Sequence, residues 1–315
     1  MSWLFNADYE SFLFSGKNEY NPISNKINQE FEYLIHFFED KPIFTTKKYS
    51  KEYTDHVEAM TGREFRTTSS NEKVLNWWCS VGEIEQDRLL HSKLTSTKFS
   101  IQRGFESEAK IIDSSDAKLM SNMVYKLPGE FSGRGHLVYP KDAKRIKKLL
   151  AQSKCLIEEP LRNRVQDFSS LALAQDKIIS YENIVDEKFQ YKGTKLISPK
   201  MDEGYFKAIN ETVGFYLQMG ATFPFSIDSY RYLDKGTIKT AAVCEVNVRK
   251  TMGYIALKLK EFFSSDLGAL MITNSRKESI PDTIWLSPRE NLFQLCFIAV
   301  NDKDILEDRI RHILE

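Results

Sequence analysis

The sequence has few cysteines, no excess charge of either sign and no long apolar run. Its 315 residues carry 44 Lys and Arg against 44 Asp and Glu, a formal net charge of zero. That balance argues against a chain that lives on DNA, RNA or an anionic membrane surface, so a charged ligand must be held by a local arrangement. The four cysteines, Cys79, Cys155, Cys244 and Cys296, form no CxxC pair, and each lies in an apolar stretch. They read as reduced, packed thiols in place of a disulfide framework or a zinc site. The longest apolar run, LCFIAV at 295–300, falls far short of the roughly 20 residues a membrane helix needs. The opening MSWLFNADYE lacks a basic n-region and a cleavage site, so no signal peptide is read there. A cytoplasmic protein is expected, with no nucleic-acid or membrane partner and its oligomeric state open. Internal repeats and low-complexity segments are also missing.

What is present is ordinary globular composition, 42% hydrophobic and 28% charged. At about 100–200 residues per domain the length suggests two or three packing units. SWLF reads as a buried strand, INQEFEYLIHFFED (27–40) as a helix, KPIFTT (41–46) as a strand, and YSKEYTDHVEAMTG as a helix closed by Gly62. This alternation predicts a small α/β layer with a parallel sheet, ending in KVLNWWCSV (73–81) with two core tryptophans. EIEQDRLLHSKLT (83–95) reads as a linking helix. From 109 to 157 the order is strand, short helix (SSDAKLMSN), strand, glycine-rich turn, basic helix and strand, with Asp113 and Asp142 as N-caps. The Lys and Arg of 141–148 read as a solvated helix face. Beyond 160 the pattern becomes antiparallel: paired strands, an amphipathic helix at 202–220, a hairpin around LDKG, a helix at 251–264, three strands and a closing helix. The fold class is α/β, turning α+β in the C-terminal half. The expected domains are 1–85, 86–157 with the glycine-rich turn, and 158–315.

Four features carry chemistry. Lys126, in MVYKLP, runs directly into the turn Gly129, Glu130, Phe131, Ser132, Gly133, Arg134, Gly135. Its ammonium can be aimed at whatever the turn holds; the plain alternative is an edge-strand lysine in solvent. Glycines and a serine let successive backbone N–H groups approach phosphate oxygens, although a flexible hairpin has the same composition. LIEEPL (156–161) reads as a hinge in which Pro160 leaves the Glu159 carbonyl and the Leu161 amide for the edge of a purine, with Glu158 beside them. Asp167, a few residues on, can accept from ribose hydroxyls, or these acids simply solvate a loop. In AVCEVNVRK, residues Glu245, Asn247 and Arg249 stand at i, i+2 and i+4, on one strand face, with Val246 and Val248 opposite. A polar face inside a valine-rich strand suits Mg²⁺ bridged to phosphates, with Asp228 as a further oxygen ligand; the competing reading is a solvated amphipathic strand.

In this order the parts resemble the ATP-grasp enzymes: a strand lysine (Lys126), a glycine-rich lid (Gly129, Ser132, Gly133, Gly135), a hinge (Glu158, Glu159, Leu161, with Asp167) and a late metal cluster (Asp228, Glu245, Asn247). The resemblance spans roughly 85–265. The N-terminal part is similar to the small α/β domain that precedes many ATP-grasp modules, and its opening resembles that of uncharacterised bacterial members. The resemblance implies a two-subdomain ATP-grasp fold behind that domain. It implies an ADP-forming carboxylate–amine ligase working through an acyl phosphate on an amino acid, peptide or similar small molecule, with ATP and Mg²⁺ or Mn²⁺. Lys126 would neutralise the transferring phosphoryl group and Arg249 would hold the substrate carboxylate or acyl phosphate. A second, upstream basic contact to ATP is expected, with Arg103 and Lys110 as candidates. A small-molecule kinase on the same scaffold, or a nucleotide-binding module with decayed catalysis, are the alternatives. Asn6 and Glu10 are candidates for the substrate side. His136 reads as a turn histidine in solvent, with a phosphate contact as the alternative, and Arg162 and Arg164 read either as binders of an acidic substrate or as charges that solvate the loop.

Overall fold

A computed structural model describes all residues except 18–19, 21–25, 71–72, 106–107, 115, 130–135, 153, 188 and 278–279. The chain gathers into two compact units. The first joins Met1–Gly82, Lys192–Ile197 and Arg249–Glu315, and the second joins Glu83–Tyr191 and Ser198–Val248.

The first unit begins with β1 (Ser2–Leu4), α1 (Tyr9–Leu13), α2 (Lys26–Phe31), β2 (Ile43–Phe44), α3 (Lys51–Thr61), β3 (Thr67–Thr68) and β4 (Val74–Asn76). The strands form the expected parallel sheet, in the order β3-β2-β1-β4. Helix α3 starts where the Ser50 hydroxyl accepts from the Tyr53 amide and stops at Gly62, whose φ of 67° closes the helix in the left-handed region. The single helix expected over 27–40 breaks instead. After α2, Glu32–Phe37 winds as a 3-10 turn, and all six of its residues are buried. An α-helix with one wet face has no use for six consecutive buried residues; the tighter turn packs them on every side. Trp77 and Trp78 lie in the core beside Phe5, Tyr33 and Leu34, as expected.

The second unit opens with α4 (Ile84–His91) and α5 (Lys93–Arg103). The linking helix is thus interrupted at Ser92, which is extended and turns its hydroxyl to the Leu94 amide. A serine that caps a new helix ends the old one. Next come β5 (Lys110–Ile112), β6 (Met123–Lys126), β7 (His136–Val138), α6 (Ala143–Ala151) and β8 (Leu156–Pro160). These strands make an antiparallel sheet ordered β5-β8-β6-β7. The helix expected over SSDAKLMSN is not formed, since residues 116–122 are irregular. Helix α6 buries Ile146 and Leu150 against Met123, Tyr125, Leu137 and Leu156, worth about 1.5–3 kcal/mol for each side chain. Its basic residues are exposed, as the sequence implies.

Then follow β9 (Asn163–Ala174), β10 (Lys177–Val185) and β11 (Tyr191–Lys195), which from Lys192 on belongs to the first unit. The second unit resumes with α7 (Glu203–Gln218), β12 (Phe225–Asp234) and β13 (Thr237–Asn247). The strands β13, β12, β9 and β10 lie side by side, all antiparallel. Helix α7 packs Tyr205, Ala208, Ile209, Val213 and Tyr216 on Phe168, Phe225 and Val246. The β12–β13 turn takes Lys235 and Gly236 through φ values of 48° and 83°. The first unit closes with α8 (Met252–Phe263), β14 (Leu267–Thr273), β15 (Thr283–Trp285), β16 (Gln294–Val300) and α9 (Lys303–Leu314). Within the described residues no helix is long and apolar enough to cross a membrane.

Candidate nucleotide site

The second unit collects charge inside its sheets. Lys126, the last residue of β6, is 5% exposed and pairs with the Glu159 carboxylate of β8. Burial works against the ammonium, yet Cys244 and then Glu159 beside it outweigh that effect and hold the lysine above its ordinary range. Sγ of Cys244 lies 3.8 Å from Nζ of Lys126, and burial pushes that thiol up, so it sits there protonated. The plain reading of Lys126 as a solvent-facing edge residue is therefore overturned. Of the lid, Gly129 follows β6, while Ser132, Gly133 and Gly135 lie outside the described residues.

The hinge differs from expectation. Glu158 turns to the Tyr125 hydroxyl, which donates to it at 2.8 Å, and Glu159 serves Lys126. The amide of Leu161 is not left for a purine, because it donates to the Asn122 carbonyl at 2.7 Å. Asp167 accepts from Arg164 at 2.8 Å; burial pushes its carboxyl up against the pull of that guanidinium.

The oxygen cluster is brought together as the spacing implies. Asp228 stands directly across from Glu245 in the β12–β13 register. Asp228 accepts from the Ser169 hydroxyl at 2.6 Å and from Nδ2 of Asn247 at 2.9 Å. Asn183 in turn donates to Ser169 at 2.6 Å. Val246 and Val248 pack in the apolar core on the other side. Two carboxylates and a carboxamide on one face are the hard oxygen donors that Mg²⁺ takes, so the residues fit such an ion. Among the described residues no three His, Cys, Asp or Glu converge, and the set rests on Asn247 as its third member. Arg249 departs from the expected geometry: β13 ends at Asn247, and Arg249 belongs to the first unit, where it donates to Glu10 at 2.7 Å. Asn6 is fully buried; it accepts from the Trp78 and Cys79 amides and donates to the Cys79 carbonyl.

Several residues escaped the sequence reading. Lys93, 7% exposed, pairs with Glu245. Its backbone amide donates to the Pro128 carbonyl at 2.9 Å, tying the start of α5 to the exit of β6. Arg103 instead pairs with Glu211 at 3.7 Å, and Lys110 is exposed on β5. The available signal was the Ser-Lys step: a capping serine places a lysine in the first turn of a helix, where the dipole disfavours a cation. His136, across from Lys126 in the register, lines the cleft and is not free in solvent. Burial, then the charges of Lys126, Lys93 and Arg164, push its pKa down to about 3, so it is a neutral imidazole. Arg164 lies against Tyr230 and Phe189, and Arg162 pairs with Glu108 at 2.9 Å.

Neither protein-family models nor curated proteins match this sequence. Solved structures do. N5-carboxyaminoimidazole synthetase from Staphylococcus aureus superposes with a TM-score of 0.55 at 12% identity, over 92% of this chain and 95% of that one. The same enzyme complexed with ADP gives 0.54 at 12%, over 84% and 89%. Phosphoribosylamine–glycine ligase from Thermotoga maritima gives 0.51 at 10%, over 90% and 94%. The chain therefore has the ATP-grasp fold.

Proposed function

We propose that the chain is an ATP-dependent carboxylate–amine ligase of the ADP-forming kind, acting on small molecules in the cytoplasm. The observation that carries this reading is the convergence, inside one compact unit, of two buried lysines with Asp228, Glu245 and Asn247. Phosphoryl transfer asks a protein chiefly for placed positive charge and a metal seat, and this cluster supplies both. Asp228, Glu245 and Asn247 would hold Mg²⁺, which when bound neutralises phosphate charge.

Lys126 and Lys93 bring positive charge to the phosphate end of the cleft. Each is now held by a carboxylate, Glu159 or Glu245, that keeps it oriented until phosphate oxygens take over. Ser169 and Asn183 fix the orientation of Asp228. The neutral His136 can donate one hydrogen bond without adding charge. Glu158 to Leu161 and Asp167 form the nucleoside end. Arg249, which donates to Glu10 within the first unit, is the candidate for holding a substrate carboxylate. The neighbour of like fold named phosphoribosylamine–glycine ligase supports a reading of C–N bond formation.

The test is thermal unfolding with a non-hydrolysable ATP analogue, with and without Mg²⁺. Wild type at a hundredfold the dissociation constant gains about 2.7 kcal/mol, and Glu245→Gln loses most of the Mg²⁺-dependent part. A wild type that shows no shift in either condition refutes the reading.

A further inference from the structure

Arg164 has no part in the phosphate chemistry above, yet it is firmly held. Its guanidinium carbon lies 3.9 Å from the centre of the Tyr230 ring and 4.7 Å from that of Phe189. Nη1 donates to Oδ1 of Asp167 at 2.8 Å, and the side chain is 16% exposed. It lines the same cleft as Lys126, His136, Glu159 and Leu161. A flat cation packed on aromatic rings occupies the kind of place where a flat heteroaromatic ring would stack. The carboxylate it holds is the one assigned to ribose hydroxyls.

Two neighbours make the arrangement more specific. Phe189 has a φ of 59°, a region that costs a bulky residue free energy and persists only where the surroundings impose it. Here the turn imposes it: the Phe189 amide donates to the Asp186 carbonyl at 2.8 Å, and the Gln190 amide to the Asp186 carboxylate at 2.9 Å. The Leu161 amide, which a hinge would offer to a base edge, is bonded to Asn122. Stacking surface, ribose acceptor and hinge donor are thus all engaged by the chain itself.

We propose that Arg164 determines nucleotide affinity at this site by holding the base-and-ribose slot as a placeholder. A nucleotide binds by exchange: its base replaces the guanidinium on Tyr230, and its hydroxyls replace the guanidinium on Asp167. The inference rests on the nucleotide reading given above and adds the sign of one residue's effect. A residue that contacts bound nucleotide favourably strengthens binding, whereas a placeholder weakens it. The apparent dissociation constant is the intrinsic one divided by the fraction of molecules with the slot open.

Calorimetric titration of the full chain with Mg²⁺ and the non-hydrolysable ATP analogue tests this, using wild type, Arg164→Ala and Arg164→Lys. With an open fraction of about 0.1, Arg164→Ala binds roughly tenfold tighter than wild type. Arg164→Lys keeps the charge but loses the flat stacking group, so it falls between the two and stands in if the alanine variant does not fold. Observed binding rates saturate with ligand concentration in wild type and rise linearly in Arg164→Ala. A folded variant that binds equally or more weakly, while wild type binds, overturns the placeholder alone. A wild type that binds no analogue overturns the nucleotide reading, and this inference with it.

Discussion

Lys93 and Glu245 show what one contact adds to a motif. Glu245 is legible in the sequence because its spacing to Asn247 puts two oxygen donors on one strand face. Its partner is 152 residues away, and no local pattern joins them. Replacing Lys93 with Met leaves a carboxylate beside an apolar side chain in a site that keeps some solvent contact, Glu245 being 27% exposed. The expected cost is about 2 kcal/mol, below the range for a fully buried pair, read as a lower urea midpoint. Lys93→Met combined with Glu245→Gln recovers most of that loss, because no charge is stranded. The double variant still fails to show the Mg²⁺-dependent shift with the ATP analogue. Recovery of both properties together would remove Lys93 and Glu245 from the site.

Elements of regular period were readable, and the departures from period were not. Helices α3, α7 and α9 and the β12–β13 hairpin follow from caps, apolar spacing and turn residues. The irregularity in β13 does not follow from them: residues 228 and 230 of β12 face 245 and 241 of β13, so an advance of two residues along β12 matches one of four along β13. Such a bulge changes which face a side chain takes, and Cys244 and Glu245 both reach the charged cluster although they are adjacent. Close approach between strands is equally invisible in sequence. Gly193 of β11 lies against β14, where a Cβ would come within 2.7 Å of the Leu270 carbonyl oxygen and the Met271 sulfur. The sulfur can swing aside, but the backbone oxygen can do so only by moving its strand. Gly193→Ala therefore costs about 1–3 kcal/mol, as overpacking does, measured by chemical denaturation. An unchanged midpoint would mean that the two strands part easily.

At the scale of the whole molecule, two buried titratable groups in different units pull stability in opposite directions with pH. In the first unit, burial raises the Glu32 carboxyl from 4.5 to about 7, against hydrogen bonds from Thr45 and Tyr49. Between those values the folded state keeps a proton that the unfolded state has lost, so stability falls as pH rises through the window. In the second unit His136 is lowered from 6.5 to about 3. There the unfolded state binds the extra proton, so stability falls as pH drops through its window. Urea midpoints across both windows should show Glu32→Gln without the decline toward neutral pH, and His136→Gln with a smaller loss in acid. Identical profiles for wild type and both variants would show that neither group is linked to folding.

The sequence by itself determined most of the element types, the parallel opening sheet, the antiparallel second half and the oxygen face of Glu245 and Asn247, because each depends on residues a few positions apart. Tertiary structure decided what distance along the chain hides. It assembled each unit from separated segments, brought Lys93 to Glu245, and set His136 and Arg164 along the cleft. It also set Arg249 beyond the end of the strand, on Glu10, and engaged the Leu161 amide with Asn122. Periodicity reports which face of an element is apolar; only the packing of one element on another settles which charge meets which, and that pairing is where the chemistry of this site resides.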